Sequence, residues 1–481
     1  MSPPLVDRST SWRQELARLV RLSVPLVGAN LLQMAIAAVD VMFVAKLGPL
    51  DLAAATLGAF LFILLSYALI GLTSAAAPLM AAELGQRAHA VREVRRSFRM
   101  ALWIAALGAI VPMLLLWQSG AILRLLGQQP DVARRAAEFL VPLIPAVPLA
   151  AGAGVMRSAA AVLGRPGWTF VITGLALAVD LVANWAFIFG HLGMPALGLV
   201  GSALANLVSF VFMVLAYGIA LSSDRRLRRF RLFGRWWRPD AERAAQIVRL
   251  GLPIMAIWVL EGSLFGGAAV LMGLIGVAEV AAHGIALNIA AFAFQIPFGI
   301  AQAATVRVGL AYGARDRHWI ALAGNVALVA GIGVMGVTAA IIWTMPRLLV
   351  SAYIDPTDRA NATVVLLALR FLAVAALFQL ADGAQAVAAG VLRGLQDTRT
   401  PMLIALFGYW VVGFGCSIAL GFMTPLGGEG VWWGLAAGLL VVATLLNLRW
   451  WRRRELGLLP GWNRDRPGGE RPRVWRKCTF R

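Results

Sequence analysis

Residues 22–45 read LSVPLVGANLLQMAIAAVDVMFVA, with Asp40 as the one charged side chain. As an α-helix rising about 1.5 Å per residue, this stretch outruns a hydrocarbon core of about 30 Å. Residues 250–273, LGLPIMAIWVLEGSLFGGAAVLMG, repeat its pattern at an offset of 228. In that register Val20-Arg21-Leu22 and Pro25 fall on Val248-Arg249-Leu250 and Pro253. Gly48 falls on Gly276, Ala53-Ala54 on Ala281-Ala282, Gly71 on Gly299, Gly85 on Gly313 and Arg87 on Arg315. The chain therefore reads as two homologous halves, each opening on a span with a proline in its first turns.

Working outward from these two stretches, twelve apolar segments appear, near 22–45, 53–80, 100–118, 136–163, 168–190, 196–221, 251–275, 280–306, 320–343, 362–391, 402–422 and 430–448. The chain has 481 residues, is 60% hydrophobic and only 14% charged, where a soluble domain carries about 25% charge. A lipid-facing backbone must satisfy its own hydrogen bonds, which favours helices. The fold class expected is an all-α integral membrane protein of about twelve transmembrane helices. They form two six-helix lobes related by a pseudo-two-fold axis along the membrane normal, since six spans return the chain to its starting side. The parts expected are a terminal segment 1–21, an N-lobe 22–221, a basic linker 222–249, a C-lobe 250–448 and a basic tail 449–481.

The net charge of +20 does not point to nucleic acid, because a basic patch needs a solvated domain to display it. Arginine instead clusters in alternate connections. One side would hold Arg8, Arg13, Arg18 and Arg21, the run from Arg87 to Arg99, the linker and the tail; the other holds Lys46, Arg124, Arg134, Arg135, Arg347 and Arg359. The positive-inside rule places both termini in the cytoplasm, in a bacterial inner membrane. The polar residues 1–21 contain no cleavable signal. Two cysteines, Cys416 and Cys478, exclude a disulfide scaffold or cysteine-ligated metal site. No P-loop is present, so the energy source expected is a gradient rather than ATP, and no enzymatic constellation or cofactor is expected.

Four acids interrupt apolar runs: Asp40, Asp180, Glu261 and Asp382. An ionised carboxylate at mid-membrane costs about 2.5–3.5 kcal/mol on insertion scales. Burial favours its neutral form unless a cation sits beside it. Such an acid facing a wet cavity can exchange H+ or Na+ for a cationic solute, the simplest chemistry for antiport. Asn184 lies one turn from Asp180 on the same helix face. Further polar residues in the spans, Asn30, Gln33, His283, Asn288, Gln379 and Gln385, are candidates to line a substrate cavity; interhelical hydrogen bonding is the plainer reading of each. Arg157, Arg307 and Arg370 are expected near span ends.

Three segments resemble a known family. Val39-Asp40-Val41-Met42-Phe43-Val44 with Leu47-Gly48 resembles the first span of MATE (multidrug and toxic compound extrusion) transporters. Ala281-Ala282-His283-Gly284-Ile285-Ala286 with Arg307-Val308-Gly309 is similar to their eighth span. Leu392-Arg393-Gly394 with Asp397-Thr398-Arg399-Thr400-Pro401-Met402 is similar to their tenth-to-eleventh connection. The resemblance runs from about Arg18 to Trp450. It implies a twelve-span, two-lobe exporter of cationic or amphipathic drugs driven by Na+ or H+; the partners expected are small organic cations, and the unit expected is a monomer. It also implies a C-lobe cation site, able to take Na+, at Glu261 and Asp382, as in the NorM-type branch, and an N-lobe site at Asp40, Asp180 and Asn184. NorM-type members have Asn at both fifth-span positions and archaeal DinF-type members have Asn then Asp; this chain has Asp then Asn. A flippase for lipid-linked saccharides of the same superfamily, or a non-transporting receptor or scaffold, is the competing reading.

Overall fold

In the computed structural model, residues 10–87, 90–234 and 236–459 are described. The first nine residues, residues 88–89, Arg235 and the tail from 460 onward, with Cys478, lie outside them, so the expected segments 1–21, 222–249 and 449–481 are covered in part.

The described residues are helical almost throughout. Eleven helices are long and apolar enough to cross a membrane: Trp12–Leu47, Pro49–Gln86, Val91–Trp117, Gly167–Phe189, Leu199–Ser223, Ala241–Ile275, Val277–Gly313, Arg317–Thr344, Arg359–Gly394, Arg399–Phe422 and Gly428–Trp451. A bent pair, Pro130–Leu143 with Ala146–Val162, makes the twelfth, with a 51° angle between its parts. In chain order the bent pair is the fourth span. Its break falls at Pro145, within a run that also holds Pro142 and Pro148, and each proline removes a helical hydrogen bond. The chain is thus a multi-pass membrane protein of two six-helix lobes.

The helices overrun their apolar stretches at the end that holds the first helix's start, the linker and the last helix's end, here the terminal face. The first helix begins at Trp12 because Ser11 caps it, its Oγ accepting from the Gln14 amide at 3.4 Å. The seventh begins at Ala241, inside the basic segment 222–249, because Asp240 caps it: its Oδ1 accepts from the Arg243 amide at 3.1 Å. Large apolar side chains such as Val111, Ile219 and Val270 are 64–66% exposed, a waste of surface in water but suited to lipid.

The repeat extends to the end of each lobe. Gly198 and Gly427 cap the sixth and twelfth spans with nearly the same backbone, φ 56°, ψ −126° and φ 55°, ψ −129°. A left-handed φ with so extended a ψ is open to glycine and strained for other residues. Gly198 and Gly427 stand 229 apart, so one residue has been added to the register of the first spans.

The lobes meet along two seams, the first span on the eighth and the second on the seventh and eighth. Close packing of helices in lipid relies on small residues. A Cβ on Gly313 would stand 1.7 Å from the carbonyl oxygen of Ala82, and one on Gly251 2.0 Å from that of Leu72. Both contacts join the lobes near the terminal face.

Two predictions follow from this packing. Gly313→Ala should destabilise the protein by about 1–3 kcal/mol, the usual cost of overpacking, while Gly284→Ala, which would meet nothing within 4 Å, should be silent in thermal unfolding in detergent. Burial alone would raise the Asp240 carboxyl, but hydrogen bonds from Arg96 and the Arg243 amide hold it below its ordinary 3.8. Its contribution is therefore present above about pH 4 and lost as pH falls through the lower folded value. The stability gap between wild type and Asp240→Asn should narrow over that acid range, as unfolding midpoints taken from pH 6 downward will test.

Candidate functional site

The four acids gather into two clusters, one in each lobe. In the N-lobe, Asp40 of the first span faces Asp180 and Asn184 of the fifth. Asn184 Nδ2 donates to Asp40 Oδ1 at 2.8 Å and to Asp180 Oδ2 at 2.9 Å. The sixth span supplies the remaining donors: Asn206 Nδ2 to Asp40 Oδ2 at 2.8 Å, and Ser209 Oγ to Asp180 Oδ1 at 2.9 Å. Asp180 and Asn184 are fully buried, and Asp40 is half-buried.

In the C-lobe, Glu261 of the seventh span faces Asp382 and Gln385 of the tenth. Gln385 Nε2 donates to Glu261 Oε1 at 3.1 Å and to Asp382 Oδ1 at 3.2 Å. The Tyr409 hydroxyl donates to Gln385 Oε1 at 2.8 Å, which commits the amide nitrogen to the carboxyl side. Tyr409 belongs to a π-helical stretch of the eleventh span, Phe407–Phe414; such wide turns often accompany functional sites. Asp382 and Gln385 are about 3% exposed and Glu261 is half-buried.

The clusters share one plan although the amide and buried acid come from the fifth helix in one lobe and the tenth in the other. A half-buried acid on the lobe's opening helix meets a buried acid, and one primary amide spends its two hydrogens on both. Two carboxylates so placed repel across a medium of low dielectric. When both are ionised, the amide dipole offsets that repulsion only in part. In the N-lobe, Asn184 Oδ1 is buried with no hydrogen-bond partner among the described residues, a spare acceptor beside two acids.

The other candidates scatter. Asn30 and Gln33 accept hydrogen bonds from Arg157 of the fourth span, with Arg157 Nη1 to Gln33 Oε1 at 3.3 Å and Nη2 to Gln302 Oε1 of the eighth span at 3.1 Å. His283 is 2% exposed, 5.5 Å from the Trp432 ring, with neither ring nitrogen partnered among the described residues. Asn288 is exposed and donates to the Gly284 carbonyl of its own helix at 2.9 Å. Gln379 is buried and donates to the Ala290 carbonyl at 3.2 Å. None of these joins an acid cluster.

The sequence reading passed over Asn206, Ser209, Tyr409 and the depth of Arg157. Asn206 and Ser209, three residues apart in an apolar run, carried the same signal as the acids. Tyr409 carried none, since an aromatic ring in a span reads as packing. Arg157 and Arg307 do lie in the last turns of their helices but are paired: Arg157 reaches three amide oxygens, and Arg307 is 6% exposed and paired with Glu15.

Between the second and seventh spans lies a cavity of about 90 Å3, lined by Phe60, Ile63, Leu64, Tyr67, Trp258 and Gly262 among others. None of Glu261, Asp382, Gln385 and Tyr409 lines it, although Gly262 follows Glu261 in the same helix.

A family model described as MatE matches this chain twice, over residues 25–186 and 253–418. The probable multidrug resistance protein NorM of Mesorhizobium japonicum is 45% identical over 445 residues, covering 92% of this chain and 95% of that protein. The multidrug resistance protein NorM of Burkholderia vietnamiensis is 36% identical over 435 residues, covering 89% and 92%. Among solved structures, a eukaryotic MATE transporter superposes with a TM-score of 0.81 at 22% identity, covering 94% of this chain and 97% of that one. An outward-facing multidrug resistance MATE transporter gives 0.81 at 22% identity, covering 95% and 100%.

Removing either bridging amide leaves two carboxyls without shared donors. Asn184→Leu and Gln385→Leu should each cost about 1–3 kcal/mol, and the double variant should show their sum within about 0.5 kcal/mol, because separate clusters do not couple. Thermal unfolding of the three variants measures this; strong non-additivity would refute the independence of the two clusters.

Proposed function

The chain belongs to the MATE family, and from that premise we propose that it is a secondary active multidrug efflux transporter of a bacterial inner membrane, exchanging H+ or Na+ for small cationic organic solutes. The observation that carries this reading is the pair of amide-bridged acid clusters, each with one half-buried carboxyl. The relatives named as multidrug resistance proteins support the choice of solute.

The exchange follows from electrostatics. A cluster of two acids met only by neutral donors is short of positive charge when both ionise, and in low dielectric that shortage is worth much more than in water. Inorganic cation or bulky organic cation can supply the missing charge, and the space beside the half-buried acid favours one guest at a time. Glu261 and Asp382 would hold Na+ or a proton in the C-lobe; Asp40 and Asp180, with the spare oxygen of Asn184, would do so in the N-lobe. Two lobes rocking about their seams would then expose the guest to either side in turn. The aromatic crevice between the second and seventh spans offers ring faces to an organic cation. The terminal face is read as cytoplasmic because Arg13, Arg21, Arg87, Arg92 and the linker arginines lie there. The working unit is read as a monomer that needs no bound cofactor.

Reconstituted in liposomes loaded with a fluorescent organic cation, the protein should drive flux on an imposed Na+ or H+ gradient. Glu261→Gln or Asp382→Asn should reduce coupled flux by about ten-fold or more, a coupling of ordinary size. Unchanged coupled flux in both of these and in Asp40→Asn would overturn the assignment.

A further inference from the structure

The charged residues that join the lobes are not those of the acid clusters. At the terminal face Glu15, at the start of the first span, is fully buried and accepts from Arg307 of the eighth through both oxygens: Nε to Oε1 at 2.7 Å and Nη2 to Oε2 at 2.5 Å. Trp319 of the ninth span adds its indole Nε1–H to Oε2 at 3.2 Å. Nearby, Glu83 at the end of the second span pairs with Arg243 in the first turn of the seventh. Arg96 of the third span pairs with Asp240, the cap of the seventh. Deeper, Arg157 ties Asn30 and Gln33 of the N-lobe to Gln302 of the C-lobe. At the opposite face the ion pairs among the described residues, Arg134 with Asp131 and Glu138 and Arg135 with Asp51 and Glu138, stay inside the N-lobe.

The helix spacing shows the same asymmetry. The second and seventh spans touch backbone to backbone where Leu72 meets Gly251. By Tyr67 and Trp258 they touch through ring edges, with the aromatic cavity beside them. Backbone contact and the ion pairs between lobes thus concentrate at the terminal face.

We propose that the Glu15–Arg307 and Glu83–Arg243 pairs are a lock that shuts the cytoplasmic mouth of the cleft and must break once in each transport cycle. It rests on the alternating-access reading and on the cytoplasmic placement of the terminal face. Charge suits a seal of this kind. Dry and paired, the two groups satisfy each other; if the mouth opens, water reaches both, so neither state strands a buried charge. An apolar seal of equal area would instead expose its whole surface on opening. The lock gives the closed state a free energy of its own, which a guest's differential binding can offset.

The test is thiol accessibility in the full-length protein with Cys416→Ser and Cys478→Ser. Ser23→Cys, on the same face of the first span as Val27, which packs on Gly299 of the eighth, reports the cytoplasmic seam. Ile63→Cys reports the crevice on the other side. In inside-out vesicles, Glu15→Gln or Arg307→Met should raise the rate at which a membrane-impermeant maleimide labels position 23 by about ten-fold or more. Labelling of position 63 from the outside should fall in the same variants. If changes at Arg307 prevent folding, Arg243→Met carries the test, and the exchange Glu83→Arg with Arg243→Glu should restore the rate to within about two-fold. Unchanged labelling at position 23 would overturn the lock, as would a rise at both reporters, which marks loosening rather than opening. A rise at position 23 seen only from outside would overturn its cytoplasmic placement. Labelling needs no flux, so failure of transport with normal labelling would strike the proposed function and leave the lock standing.

Discussion

A carboxylate held away from water must find positive charge or hydrogen-bond donors, and the arrangement of this molecule follows from how it meets that demand. Two sets of acids in the spans meet it differently. Glu15 and Glu83 take an arginine each from the opposite lobe. Asp40, Asp180, Glu261 and Asp382 take amides from within their own lobe. The difference in partner divides their roles. A guanidinium supplies a full charge and leaves nothing for a guest, so the arginine pairs hold lobes together. An amide supplies only a dipole, which leaves the negative charge of an ionised pair unbalanced and underlies the proposed cation exchange.

The packing that brings these groups together depends on backbone contact. Gly313 against Ala82 and Gly251 against Leu72 let helices of different lobes approach to a distance no side chain would permit. Those contacts lie at the end that also carries the arginine pairs. The aromatic crevice opens where they stop. Seal and cleft are therefore two lengths of one pair of seams, and the half-buried acids Asp40 and Glu261 sit on the first and seventh helices that form them.

The repeat relates the two lobes but not the residues of their clusters. Gln33 and Glu261 are mates in the register of 228. In the structure Glu261 anchors the C-lobe cluster, whereas Gln33 accepts from Arg157 and stands apart from the N-lobe cluster. The N-lobe draws its acid from position 40 instead, about two turns further along the helix. The fourth span is broken at its prolines while the tenth, its mate, runs unbroken from Arg359 to Gly394. The lobes thus share a plan of acid, amide and acid, reached from different positions.

Much was legible in the sequence for a simple reason: polar groups in lipid are costly, so each polar letter in an apolar run marks a site of pairing. That rule singled out the four acids and the two amides that bridge them, though not Asn206 and Ser209, which carry the same signal. It could not say which polar groups meet, because facing across helices depends on rotation and tilt. Only the tertiary structure separated Asn184 and Gln385, which bridge acids, from Asn288 and Gln379, which bond to backbone carbonyls. It alone brought in Tyr409, whose hydroxyl has no signature in a span, and Glu15, which in sequence lies outside the apolar run and in the fold is fully buried. Hydrophobicity is a property of the chain, read letter by letter; the partner of a charge is a property of the space between helices, and no single segment contains it.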